Sequence, residues 1–157
     1  MDAPQPEPRD LWFMDTRIIV RVSCFDGDDK LSVMEHVARC GDSPPLHLHR
    51  NQDEIFHCLD GELRFVVGGK ALRARAGETL IAPKGVPHTY RVESKAGARW
   101  LIVTHGEDFE RFVRAFGRPA EGDGLPEPSG PPTPEQAEAL ARVCAEYGIE
   151  IVGPPLG

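Results

Sequence analysis

Apolar and polar residues alternate along the first two thirds of the chain in short runs. The runs are Arg17–Ser23, Leu31–Ala38, Leu46–His49, Glu54–Leu59, Leu63–Val67, Lys70–Ala74, Thr79–Ala82, His88–Val92 and Arg99–Thr104. Turn signals part them: Asp26-Gly27-Asp28-Asp29, Asp60-Gly61, Gly68-Gly69, Ala76-Gly77 and Lys95-Ala96-Gly97. Many short strands at close spacing predict an all-β antiparallel sandwich or barrel. The period then changes. Phe109, Phe112, Val113 and Phe116 recur at helical spacing within Glu107–Phe116, giving an apolar stripe that can pack on the barrel, with Gly117 and Pro119 as stops. A second helix is expected over Pro134–Tyr147. Thr133 serves as its N-cap, Pro134 takes the first helical position, Gln136 closes a capping box and Gly148 ends it. Ile149–Val152 is apolar enough to pair as an edge strand.

Proline sharpens the division. Of 15 prolines, only Pro44, Pro45, Pro83 and Pro87 fall between Leu11 and Gly117, and proline is kept out of central strands. The expected organisation is a flexible N-terminal arm over 1–10, a β body with its first packing helix over 11–117, and a Pro/Gly linker, helix and short strand over 118–157. A length of 157 residues suits one such core. The net charge of -7 argues against nucleic-acid and anionic-membrane partners. No apolar run reaches the roughly 20 residues of a membrane span. The start is acidic and proline-rich, unlike a secretory signal. Cys24, Cys40, Cys58 and Cys144 are widely spaced, as expected for reduced thiols of a cytoplasmic protein.

The chemistry concentrates on histidine. His47 and His49 are two residues apart and point to one face of a strand. Glu54 opens the next strand and His88 opens a later one behind Pro83-Lys84-Gly85. In an antiparallel barrel these strands can be neighbours, so that three imidazoles and a carboxylate converge. That donor set suits a borderline divalent metal and leaves positions open for water, substrate or dioxygen.

The same two segments carry a family pattern. Gly41, His47, His49, Glu54 and Gly61 form the first motif, and Gly77, Pro83, Gly85 and His88 the second. All nine positions match the two motifs of the cupin superfamily, and the chain resembles a small single-domain bacterial cupin of the quercetin-dioxygenase-like kind. One position departs: Val92 stands where the second motif usually ends in Asn. The resemblance implies a double-stranded β-helix, or jelly-roll barrel, with a C-terminal helical tail. It implies metal ligands at His47, His49, Glu54 and His88, and one divalent ion: iron, manganese, nickel, cobalt, copper or zinc. It implies oxidoreductase, dioxygenase-like chemistry on a small aromatic or enol-bearing compound, with Glu54 as general base. A metal-dependent cyclase or isomerase and a non-catalytic ligand-binding barrel are the alternatives. A homodimer is expected on the same ground.

Strand alternation nominates the walls of a small-molecule pocket. Phe56 shares a face with Glu54 and Tyr90 with His88, and Phe65 is a third candidate; Leu63, Trp100 and Ile102 are further ones. Cys58 reads as a small buried apolar residue, His57 as an outer-face residue, and His36 and His105 as ordinary surface or satisfied histidines. Gly68-Gly69-Lys70 lacks the earlier glycine of a phosphate loop and reads as a hairpin turn. Asp26-Gly27-Asp28-Asp29 lacks the downstream acidic pattern of a calcium loop. No G-x-S-x-G elbow occurs.

Overall fold

A computed structural model describes residues 7–157. Its elements in chain order are β1 (Asp10–Phe13), β2 (Thr16–Val22), β3 (Leu31–Ala38), β4 (Leu46–His49), β5 (Glu54–Asp60), β6 (Glu62–Val67), β7 (Lys70–Arg75), β8 (Thr79–Ala82), β9 (His88–Val92), β10 (Ala98–His105), α1 (Asp108–Phe116), β11 (Arg118–Pro119), α2 (Pro134–Glu146) and β12 (Ile149–Gly153). One sheet has the order β11-β1-β2-β3-β10-β5-β8 and the other β12-β4-β9-β6-β7. Every pairing is antiparallel, and from β3 to β10 the chain crosses between the two sheets at each step except the β6–β7 hairpin, as in a jelly roll.

The core lies between the sheets. Period-two alternation puts Phe56 and Cys58 of β5, Trp100 and Ile102 of β10, Phe65 of β6 and Tyr90 and Val92 of β9 inside. Aromatic rings join the layers: Phe56 meets Phe65 at 5.1 Å and Tyr90 meets Trp100 at 5.2 Å between centroids. Gly61, at φ +85°, makes the tight β5–β6 connection. A Cβ there would sit 2.6 Å from the Gly97 carbonyl oxygen, so both backbone sign and space demand glycine.

Helix α1 buries Phe109, Phe112 and Val113 against the barrel, while Phe116 is 41% exposed. The fourth member of the expected stripe therefore marks the helix end rather than the core. Helix α2 has the expected capping box between Thr133 and Gln136. Two strands fall outside the sequence expectation, β1 and the two-residue β11, which pair through Leu11–Pro119 and Trp12–Arg118. Residues 1–6 of the expected arm lie outside the described residues. The rest of it is held: Arg9 pairs with Asp26, the Pro8 carbonyl accepts from Arg114, and Asp10 pairs with Arg17. The expected linker is also tied down, with Ser129 donating from its backbone and hydroxyl to Asp15 and Trp12 donating to the Gly124 carbonyl. Strand β12 closes one edge of the smaller sheet by pairing with β4, Ile149 opposite His49 and Ile151 opposite His47. The tail thus supports the strand that carries two candidate ligands.

Among the described residues no helix is long and apolar enough to cross a membrane. All four cysteines are free thiols, buried at Cys24, Cys58 and Cys144 and exposed at Cys40.

Candidate metal centre

Strand β4 projects His47 and His49 inward, and its neighbour β9 places His88 directly opposite His47. Glu54 begins β5 in the facing sheet. The short link from His49 to Glu54 is fixed by buried Gln52, which donates to the His105 carbonyl and accepts from the Phe109 amide at 3.0 Å. The approach to His88 is fixed by the Gly85 amide donating to the His49 carbonyl. One ligand atom from each of His47, His49, Glu54 and His88 lies within 4.8 Å of all the others. Two ligands on one ion at about 2.1 Å stand at most about 4.2 Å apart, so shifts of a few tenths of an ångström close the set on a single ion.

Hydrogen bonds preset the imidazoles. His47 Nδ1 lies 2.7 Å from the Pro45 carbonyl and His88 Nδ1 lies 3.0 Å from the Val86 carbonyl. A carbonyl only accepts, so both Nδ1 atoms carry protons and both Nε2 atoms are aimed at the centre. His49 is buried, and neither ring nitrogen has a hydrogen-bond partner. Its Nε2 stands 3.2 Å from Glu54 Oε2 without the alignment of a hydrogen bond. An orphaned buried imidazole nitrogen beside a buried carboxylate is what a ligand set looks like without its ion. The residues present therefore fit a divalent transition metal.

Electrostatics agree. Burial disfavours the charge of Glu54, but His49 and His88 outweigh it and hold the carboxyl well below its usual range. His88 Nε2 donates to Glu54 Oε2 at 2.7 Å, and that bond raises the His88 pKa against the opposing effect of burial. His47 is pushed down to about 4, first by burial and then by His88. His47 is thus neutral at neutral pH, the form that ligates.

The centre opens into a cavity of about 900 Å³. Phe56, Tyr90, Ile102 and Phe109 line it. Phe65 does not: it packs behind Phe56 and Tyr90, 5.1 and 5.8 Å from their rings, deeper in the barrel. Leu63 and Trp100 are likewise core rather than wall. Burial keeps the Tyr90 phenol protonated far above its usual range. His57 is on the outer face, 2.6 Å from the Thr79 hydroxyl, and His105 is exposed.

His36 departs from its expected role. It is 4% exposed, lines the cavity and is stacked between Trp100 at 5.4 Å and Phe109 at 6.2 Å, with Nε2 unpartnered. The available signal was its alternation with Met34 and Ala38 on the buried face of β3. Burial lowers its pKa from 6.5 to about 4. The unfolded chain therefore takes up a proton here below pH 6.5 that the folded one refuses down to about pH 4. In that window His36 subtracts stability as pH falls, by at most about 1.4 kcal/mol per pH unit. His36→Phe is expected to show a shallower loss of stability than the parent between pH 6 and 4.5 in denaturant melts; parallel curves would contradict this. Asp42, also in the cavity wall, is raised to about 6 by burial and by Asp15. No sequence signal singled it out.

The fold has counterparts among known proteins. Residues 34–104, from β3 to β10, match the family model described as Cupin domain. The quercetin 2,3-dioxygenase of Bacillus subtilis (strain 168) is 29% identical over 99 residues, covering 63% of this chain. The match spans 29% of that protein's length. A predicted oxalate decarboxylase from Thermotoga maritima superposes with a TM-score of 0.54 at 23% identity, over 57% of this chain and 79% of the other. The polyketide cyclase RemF from Streptomyces resistomycificus superposes with a TM-score of 0.52 at 23% identity, over 77% of this chain and 78% of the other. These two likenesses establish the shared barrel and nothing about the reaction. Over residues 34–104 the chain is thus similar to the cupin domain family.

Proposed function

We propose that the protein is a metal-dependent enzyme, dioxygenase-like, acting on a small aromatic or enol-bearing compound. The observation that carries this reading is a cluster of three imidazoles and an ionised carboxylate, of which His47, His49 and Glu54 reach the wall of a 900 Å³ cavity whose other walls include Phe56, Tyr90, Ile102 and Phe109. The sequence likeness to a quercetin 2,3-dioxygenase supports the choice of substrate class and reaction.

His47, His49, Glu54 and His88 would hold the ion. Iron, manganese, nickel, cobalt, copper and zinc all accept this donor set. The bound ion would supply Lewis acidity toward a substrate oxygen and, if redox-active, a route for electrons to dioxygen. Glu54 is the base. It is ionised, 2% exposed and stands in the cluster at the cavity wall, so it can take the proton of an enol or phenol brought there. Phe109, 5.5 Å from His49 and edge-on to it, together with Phe56 gives a planar substrate apolar surface to stack on. Pro128–Pro132 and Leu140 of α2 complete the cavity wall. The homodimer expected from the family resemblance is part of the proposal, and sedimentation velocity at micromolar concentration tests it.

The test is substrate-dependent dioxygen uptake by protein loaded with each metal, offered flavonols and smaller enolic or catecholic compounds. Glu54→Gln keeps the volume and removes the base; uptake is expected to fall about 10²–10⁴-fold. Isomerised or cyclised product without oxygen consumption would move the assignment to a cyclase or isomerase. Binding without turnover for every metal would leave a ligand-binding barrel.

A further inference from the structure

The metal cluster does not account for all the polar groups in the cavity. His36 Nε2 and Arg39 Nη1 are both buried, both belong to residues that line the cavity, and neither has a hydrogen-bond partner. Buried polar atoms of native proteins are overwhelmingly paired, and leaving one unpaired costs about 1–3 kcal/mol, more for a charged group. Two in one cavity wall point to partners that come from outside the chain.

The wall is built to hold the His36 ring still. The His36 ring is locked between Trp100 and Phe109, within 27° and 5° of parallel to them. Arg39 follows β3 directly, on the same stretch of chain as His36. Phe109 neighbours both His36 and the candidate ligand His49, so a single ring of the wall links His36 to the metal cluster. Arg39 can only donate hydrogen bonds, and neutral His36 can place its proton on Nε2 and donate as well.

We infer that His36 and Arg39 form a second anchor in the cavity, one that takes an acceptor oxygen, carbonyl or carboxylate, of a ring-bearing ligand whose other oxygen function is held at the metal cluster. The inference rests on the small-molecule reading above and deepens it: the ligand carries oxygen at two separated positions. Asp15 and Asp42 line the same cavity. They oppose a full negative charge and would accept from a neighbouring hydroxyl, so they bear on the choice between ketone and carboxylate. The anchor's existence does not depend on that choice.

The experiment uses naphthalene fluorescence with the full chain, metal-free after chelation, so that neither metal content nor turnover enters the readout. Three probes share one ring system: 2-acetylnaphthalene with a carbonyl, 2-naphthoate with a carboxylate and 2-methylnaphthalene with neither. At least one oxygen-bearing probe is expected to bind ten or more times tighter than 2-methylnaphthalene; which one does so identifies the oxygen. The preference is expected to fall to threefold or less in Arg39→Met and in His36→Phe, which retains the stacked ring. His36→Gln restores part of it, and His88→Ala leaves it intact. Thermal melts confirm that each variant is folded. Equal binding of all probes by the parent protein overturns the inference, as does a preference retained in both Arg39→Met and His36→Phe. A preference lost in His88→Ala but kept in Arg39→Met places the oxygen at the cluster and overturns it too. A failure of the metal-dependent reading shows instead in metal content and oxygen uptake, with these binding ratios unchanged.

Discussion

His88→Ala is expected to weaken divalent-metal binding by at least about 100-fold. Loss of a partner that merely orients a ligating histidine costs 10–100-fold, and this substitution removes a ligand itself. His88 is 1% exposed, anchored through Nδ1 on the Val86 carbonyl and aimed through Nε2 at the cluster. Alanine leaves a void that His47 and His49, held on β4, cannot fill. The clearest readout is metal-dependent stabilisation. At a free metal concentration 100 times the parent dissociation constant, the parent gains about 2.7 kcal/mol. The variant at the same concentration gains less than about 0.5 kcal/mol, read as a melting temperature that hardly moves. The parent's gain should also shrink on acidification, because metal must displace the proton that His88 shares with Glu54. An undiminished gain in the variant would mean that the ion, if any, binds elsewhere.

Glu110→Ala carries the largest expected loss of stability. Glu110 sits in α1 among the apolar residues, and its side chain is fully buried. Its carboxylate accepts from the Ser23 hydroxyl at 3.1 Å and the Cys24 amide at 2.9 Å, and it pairs with Arg114 at 3.3 Å. Arg114 in turn donates to the Pro8 carbonyl. One carboxylate therefore ties α1 to the turn after β2 and, through Arg114, to the chain before β1. Its removal leaves a mostly buried guanidinium without its counter-charge and two buried donors without an acceptor. Breaking such a pair from one side costs about 3–5 kcal/mol. For a domain of this size that is a fall of roughly 10 °C in melting temperature. Glu110→Gln keeps an acceptor and should lose less than half as much. Equal, small losses in both variants would show that the carboxylate is dispensable.

How far the sequence carried the structure depended on the range of the forces involved. Strands β3, β4, β8 and β9 have the bounds that alternation and turn residues predict, because both signals are local. The four candidate ligands were legible for the same reason: His47 and His49 share a face and Glu54 and His88 each open a strand, although Glu54 comes from the facing sheet rather than from a neighbouring strand. Strand β1 was not legible, since its four residues adjoin a proline-rich start and gain their order from β2 and from β11, more than a hundred residues away. Phe65 shares an inward face with true wall residues, and alternation gives the face but not the depth in the barrel. Glu110 interrupts an apolar stripe, and only Ser23 and Cys24, far off in sequence, explain it. The cavity wall at Pro128–Pro132 likewise reads as a linker until Asp15 is seen to hold Ser129.

The central claim is that His47, His49, Glu54 and His88 hold one divalent transition metal. Elemental analysis of protein purified without a histidine tag and without added metal tests it most directly, with the His47→Ala/His88→Ala double variant as the control. The account predicts close to one equivalent of iron, manganese, nickel, cobalt, copper or zinc per chain in the parent protein and essentially none in a folded double variant. No metal in the parent, even after incubation with each ion, or equal metal in both proteins, would contradict it.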